Sequence, residues 1–161
     1  MKSITTHRRY GMDKALLEEA RTKFNKIWHR IDCLFNLYAK KKGLNFTSLM
    51  ILEFIYDFHT SQEFYTQKDI CENLALPKQL VNSVITNFWE QGYVELKEAK
   101  DRRNKNIFLT EKGKEYATGI INALDAAEDK TWECFGDDEI IAFVDSMEKY
   151  EKAFEETINN M

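Results

Sequence analysis

At 161 residues, with 43% hydrophobic and 31% charged side chains, one proline and six glycines, the chain has material for one well-packed, mostly helical domain with short connections, not a sandwich, a repeat array or a disordered tail. The net charge of -4 would argue against nucleic acid if it were spread evenly, but residues 1–65 hold 11 basic and 7 acidic groups, residues 66–114 hold 9 and 7, and residues 115–161 hold 3 and 13. An acidic C-terminal third must therefore face away from any polyanion that the rest of the chain binds.

Residues 1–12 show no periodicity; His7, Arg8 and Arg9 offer a basic arm, although a disordered terminus is the plainer reading. No apolar stretch follows these bases, so no signal peptide is expected. The three cysteines are odd in number and far apart, which fits a reducing cytoplasm. The longest apolar run, Leu49 to Phe58, is broken by Glu53 and Asp57 and reaches about half of the ~20 residues a membrane span needs, so no membrane role is expected.

Asp13 is placed to cap a long helix, residues 13–42, whose apolar positions Leu16, Ala20, Phe24, Ile27, Ile31, Leu34, Phe35 and Tyr38 keep a helical period. Lys40, Lys41 and Lys42 suit its negative end, and Gly43 suits a left-handed cap. Thr47 is expected to cap the next helix, with Phe46 stapled to Ile51 and with Leu52, Ile55 and Phe58 inward, ending near His59. Thr66 and Asp69 form a capping-box pattern for a short helix through Leu74, with Ile70 and Leu74 inward, and a tight turn follows at Ala75 and Leu76.

Pro77 is expected at the first position of a further helix that ends at Gly92. Leu80, Val81, Val84, Ile85, Phe88 and Trp89 make its apolar side, and Lys78, Gln79, Asn82, Ser83, Thr86, Asn87 and Glu90 make a polar stripe. From Tyr93 the period becomes two: Val94 and Leu96, then Ile107 and Leu109, predict paired strands around a basic tip. Thr110 caps a helix carrying Ala117, Ile120, Ile121, Leu124, Ala127 and Phe135, and Asp137 or Asp138 caps a last one carrying Ile140, Val144, Met147, Phe154 and Ile158.

Two short helices followed by a hairpin make a helix-turn-helix with a wing, a shape suited to duplex DNA. The expected fold is mainly α with a small β-hairpin wing: a winged helix-turn-helix domain flanked by N- and C-terminal helices. Those flanking helices carry more apolar stripe than one short winged domain can cover. A second copy is the simplest cover, since a two-fold dimer buries one patch twice and presents two reading heads.

The wing and its flanks resemble the MarR family of bacterial transcriptional regulators over nearly the whole chain. The family's Asp-x-Arg in the wing, followed by a strand and Leu-Thr-x-x-Gly, is matched by Asp101, Arg103, Leu109, Thr110 and Gly113, and Gln91-Gly92-Tyr93-Val94 resembles its helix-to-wing junction. The resemblance implies a single domain over residues 1–161, with dimerisation helices at 13–42 and 111–161 and a winged lobe at 46–110. It further implies a cytoplasmic homodimer on pseudo-palindromic double-stranded operators, often released when a small-molecule effector or an oxidant is sensed. Relatives often carry more bases on the recognition helix, where this chain has only Lys78.

Asn and Gln can bond bidentately to adenine in the major groove and hydroxyl side chains adapt to several base edges, which marks Gln79, Asn82, Ser83 and Asn87 as candidate readers with Lys78 beside them. At the wing tip Lys100, Arg102, Arg103 and Lys105 face phosphates or a narrow minor groove, with Arg103 foremost and Asp101 orienting its guanidinium. Thr66 and Lys68 open a helix whose first amides suit a phosphate. The plain alternatives are a solvated polar stripe and a solvated charged hairpin.

No cofactor is expected. His7, His29 and His59 are isolated and no Cys-x-x-Cys occurs, which argues against a metal site, and the acids at 137–139 suit a helix start. No Gly-rich phosphate loop or nucleophile motif points to an enzyme. Cys33 is a candidate redox sensor with His29 or Arg30 near it, against the commoner reading of an inert thiol, while Cys71 and Cys134 are read as structural. Trp28, Phe35, Tyr38, Tyr56 and Phe58 could line a pocket or form core. The main alternative function is a winged-helix protein-interaction module without DNA binding, motivated by the weakly basic recognition helix.

Overall fold

The computed structural model of the protein describes residues 13–58, 64–98 and 105–161. Its contacts divide into two compact units, one ending at Ile51 and the other beginning at Leu52, within the second helix. Of the wing-tip candidates, Lys100, Asp101, Arg102 and Arg103 lie outside the described residues, as do His7, Arg8, Arg9 and His59.

In the first unit α1 spans Lys14–Lys41. Asp13 caps it, its carboxylate accepting from the Ala15 amide at 2.9 Å. The helix stops by chemistry legible in the sequence: Gly43 takes φ +75°, and the amides of Gly43 and Leu44 bond back to the carbonyls of Lys40 and Ala39 at 3.1 and 2.9 Å. Within α1 only Ala39 is buried. Leu16, Ile27, Trp28 and Leu34 are all more than half exposed, so much of the apolar stripe of α1 faces outward.

The second helix, α2 (Phe46–Phe58), departs from expectation at its start. Asn45, not Thr47, is the cap: its side-chain oxygen accepts the Ser48 amide at 2.8 Å, satisfying an otherwise orphaned donor two residues earlier than expected. Phe46 is then already helical, so it cannot staple the helix from outside; its ring instead lies 6.1 Å from that of Phe35. Leu49, Leu52 and Ile55 are buried.

The second unit contains the winged helix. Strand β1 (Tyr65–Thr66) leads into α3 (Gln67–Asn73), a tight turn, α4 (Lys78–Glu90), strands β2 (Val94–Glu98) and β3 (Lys105–Leu109), and then α5 (Glu111–Trp132) and α6 (Asp137–Asn159). The predicted hairpin is present, with Val94 opposite Leu109 and Leu96 opposite Ile107. A third strand joins it: β1 pairs antiparallel with β3, Tyr65 opposite Ile107, giving the order β1-β3-β2. Two residues are too few for a periodic signal, so β1 was invisible in the sequence. The sheet turns Val94, Ile107 and Leu109 inward, where they join Ile70, Val81, Val84, Ile85, Phe88, Ala117 and Ile121 in the core.

Several expected inward positions lie outside. Leu80 and Trp89 are 40% and 54% exposed. At about 100° per residue they stand roughly a quarter-turn to either side of the buried line through Val81, Val84, Ile85 and Phe88, so three-and-four spacing alone overcounted the face. Leu74 is only half-buried, and Ala127 is exposed. Phe135 is exposed too, because α5 ends at Trp132 and leaves it in the following turn, where its ring meets Trp132 at 5.7 Å. Pro77 flanks α4 as its N-cap, one residue before the position expected. Neither Asp137 nor Asp138 caps α6; Gly136 does, its amide held by the Glu139 carboxylate at 3.0 Å, and the three acids fill the first turn. No residue of α6 is buried.

The α4-to-wing junction is clamped by the start of α5. Gly92 takes φ +74° and lets the Tyr93 amide return to the Phe88 carbonyl at 2.8 Å. The Thr110 amide then bonds the Tyr93 carbonyl at 3.0 Å, and the Thr110 hydroxyl donates to the Gly92 carbonyl at 2.7 Å while accepting the Gly113 amide at 3.0 Å. Lys112 donates to the Gln91 carbonyl at 2.7 Å. Tyr93 and Tyr116 stack with centroids 4.1 Å apart, and burial, then the neighbouring Tyr93, raise the Tyr116 phenol above its usual range. A Cβ added to Gly113 would lie 1.9 Å from the Tyr93 oxygen, so the position admits only glycine. Gly113→Ala is expected to cost about 3 kcal/mol by forcing the clamp open. Gly119→Ala, in the same helix with nothing within 4 Å, is expected to gain up to about 1 kcal/mol. Urea unfolding of both variants checks the pair, and equal stabilities would refute the clamp.

Candidate nucleic-acid interface

The polar stripe of α4 is exposed. Lys78, Gln79, Asn82, Ser83, Thr86, Asn87 and Glu90 are all exposed, while the opposite face holds four buried side chains. The stripe divides by azimuth. Gln79, Ser83, Thr86 and Glu90 lie opposite the core; Lys78, Asn82 and Trp89 lie on one flank, and Asn87 on the other. Asn87 is engaged locally, its side-chain oxygen accepting from Gln91 at 2.6 Å.

The Lys78 flank borders a groove of about 790 Å³ walled by α3, α4 and the sheet. Gln67, Lys68, Cys71 and Glu72 come from α3, Lys78, Asn82, Thr86 and Trp89 from α4, and Leu96, Lys105 and Ile107 from the strands. Three of its cations, Lys68, Lys78 and Lys105, were expected in the interface, and the fold gathers them around one concavity. Lys68 pairs with Glu72 at 3.6 Å across one turn, with both side chains about two-thirds exposed, so the pair is worth little and is easily exchanged for another anion. Lys105 opens β3 opposite Glu98.

The far wall is built by the capping box. The Thr66 hydroxyl accepts the Asp69 amide at 3.2 Å and donates to the Asp69 carboxylate at 2.8 Å, and that carboxylate takes the Thr66 amide at 2.7 Å. Thr66 thus spends its hydroxyl on holding α3. At the other end of α3, Ala75 adopts φ +50° and returns the Leu76 amide to the Cys71 carbonyl at 3.1 Å, the glycine-type helix stop made with alanine. Sequence reasoning missed Gln67, which donates to the Asn82 side-chain oxygen at 3.2 Å, and missed Trp89 as a groove residue. Gln67 carried no signal, since the bond joins side chains fifteen residues apart; Trp89 was assigned to the core on apolarity.

Away from the groove, Cys33 is exposed on α1 with its sulfur 3.9 Å from His29 Nε2, and Cys134, expected to be structural, is also exposed. Cys71 is half-buried. Among the described residues no group of three or more His, Cys, Asp or Glu is arranged to hold a metal ion. Of the aromatics that might line a pocket, Trp28 is exposed, while the Tyr56 hydroxyl bonds Asn122 and Thr118 of α5 at 3.3 and 3.2 Å. The Phe58 side chain lies outside the described set. No helix among the described residues is long and apolar enough to cross a membrane.

Two helices in tandem, a three-stranded sheet and a wing between them define a winged helix-turn-helix. The model of the MarR family matches residues 42–104. A MarR family regulator from Neisseria meningitidis is similar over 92% of this chain and 99% of its own, at 28% identity and a TM-score of 0.68. A MarR family transcriptional regulator from Listeria monocytogenes, complexed with 26mer DNA, is 21% identical over 82% of this chain and 86% of its own, with a TM-score of 0.66. MepR of S. aureus, in a DNA complex, is 19% identical over 83% of this chain and 96% of its own, with a TM-score of 0.68. A search of curated protein sequences found no match.

The capping box makes α3 separable from its charges in a stability measurement. Thr66→Ala is expected to lower the unfolding free energy by about 1 kcal/mol. Lys68→Ala, which breaks only an exposed pair, should stay within about 0.5 kcal/mol. Equal losses in urea denaturation would place the anchoring of α3 elsewhere.

Proposed function

We propose that the chain is a DNA-binding transcriptional regulator that lays α4 in the major groove and its wing against the adjoining backbone. The observation that carries this reading is the exposed polar face of α4, flanked by Lys68, Lys78 and Lys105 on one concave side. A helix that spends one face on the core and keeps amides and hydroxyls exposed on the other presents hydrogen-bonding groups to base edges. The two similar folds seen with DNA support the same reading.

Within it, Lys68, Lys78, Lys105 and the wing-tip residues Lys100, Arg102 and Arg103 bind phosphate or minor groove, Asp101 orients Arg103, and Thr66 sets the α3 terminus. Gln79, Asn82, Ser83 and Asn87 face base edges. The regulator is a homodimer, with residues 13–42 and 111–161 as dimerisation helices around a winged lobe at 46–110; the uncovered Leu16, Ile27 and Leu34 of α1 and Ile141, Phe154 and Ile158 of α6 support this. Two heads on a two-fold axis match half-sites one DNA turn, ~34 Å, apart. The protein acts as a repressor in the cytoplasm, and a small-molecule effector releases it by changing the separation of the heads.

Fluorescence anisotropy with duplex DNA from upstream of the gene tests this. Affinity is expected to fall steeply with salt, and Arg103→Ala to weaken binding across sequences by about tenfold or more, the loss of a charge-assisted contact. No binding even at low salt would overturn the reading.

A further inference from the structure

Asn82 is exposed on α4, and its carboxamide oxygen has a partner on α3. Gln67 Nε2 donates to Asn82 Oδ1 at 3.2 Å, so the oxygen of Asn82 is turned towards α3 and its NH2 group away from it. Gln67 is half-buried and is the first residue of α3, between Thr66 and Asp69 of the capping box that fixes that end of the helix. An unpinned asparagine exchanges its oxygen and nitrogen by a half-turn of the amide at little cost, because the two ends have nearly the same shape.

The orientation matters for base choice. Adenine presents an acceptor, N7, beside a donor, the N6 amino group, and one asparagine edge meets both with an N–H and an oxygen lone pair. An amide oxygen has two lone pairs, so Gln67 occupies one and leaves the other for the base. Guanine presents two acceptors, N7 and O6, and meets only one of them through that edge. An amide able to turn accommodates guanine O6 with its NH2 group, whereas a pinned amide cannot. We propose that Gln67 is a positioning residue that fixes the Asn82 carboxamide and thereby makes α4 prefer adenine over guanine at one step of each half-site. This rests on the reading of α4 as the helix in the major groove.

The experiment is selection by the full-length protein from a pool of randomised DNA duplexes, with melting temperatures taken for every variant. The expected wild-type profile has one adenine-preferring position that Asn82→Ala levels. Gln67→Ala should reduce the adenine-over-guanine ratio at that position about fivefold or more, leaving the other positions and the melting temperature in place. Gln67→Glu offers only acceptors, so the Asn82 amide must turn its NH2 group towards it; this variant should change the preferred base rather than merely weaken the preference, an outcome that a structural role for Gln67 would not produce. If Asn82→Ala levels the position while both Gln67 variants keep the wild-type profile, the inference is overturned and the major-groove reading stands. If Asn82→Ala leaves the profile intact, or the wild type enriches no duplex, that reading fails and the inference falls with it.

Discussion

Tyr93 carries the chain from α4 into the sheet, and its carbonyl oxygen receives the Thr110 amide at 3.0 Å from the side where Gly113 leaves room for no Cβ. This contact ties three elements at one point: the C-terminal stop of α4, the entry to β2 and the start of α5. Around it the Thr110 hydroxyl and the Lys112 ammonium take the carbonyls of Gly92 and Gln91. Carbonyls at a helix end otherwise lack partners, so the clamp satisfies groups that the fold would have to leave in water. It also fixes the angle at which the hairpin leaves α4. The Leu-Thr-x-x-Gly pattern is thus a mechanical part: a cap hydroxyl, and a glycine where two backbones touch.

Much of the fold was legible because its punctuation is local. Asp13, Gly43, the Thr66 and Asp69 box, Gly92 and Thr110 each act within a few residues of themselves, and each does what its type and position dictate. Errors came where two local solutions compete or where an interaction is long-range. Asn45 outcompeted Thr47 as a cap because both are good acceptors placed near the same helix start. Leu80 and Trp89 were misplaced because apolarity does not reveal azimuth, and β1 was missed because its pairing with β3 is set by contacts some forty residues away. The candidate interface followed the same division. Its charges and polar stripe could be read from composition and period, whereas the bond from Gln67 to Asn82 could not.

The charge distribution fits this architecture. A protein of net charge -4 has its acids concentrated in α5 and α6, whereas the groove between α3, α4 and the sheet is edged by lysines. Net charge alone is therefore a poor guide to whether such a chain binds a polyanion.

The seven residues of α3 close too few internal hydrogen bonds to persist in isolation. Its permanence depends on one fully buried anchor, Ile70, and on the two terminal locks, one of which spends an alanine in a left-handed conformation. Of the elements that border the groove it is thus the least costly to release, and the groove would open first by a fraying of this wall while α4 stayed seated on its core.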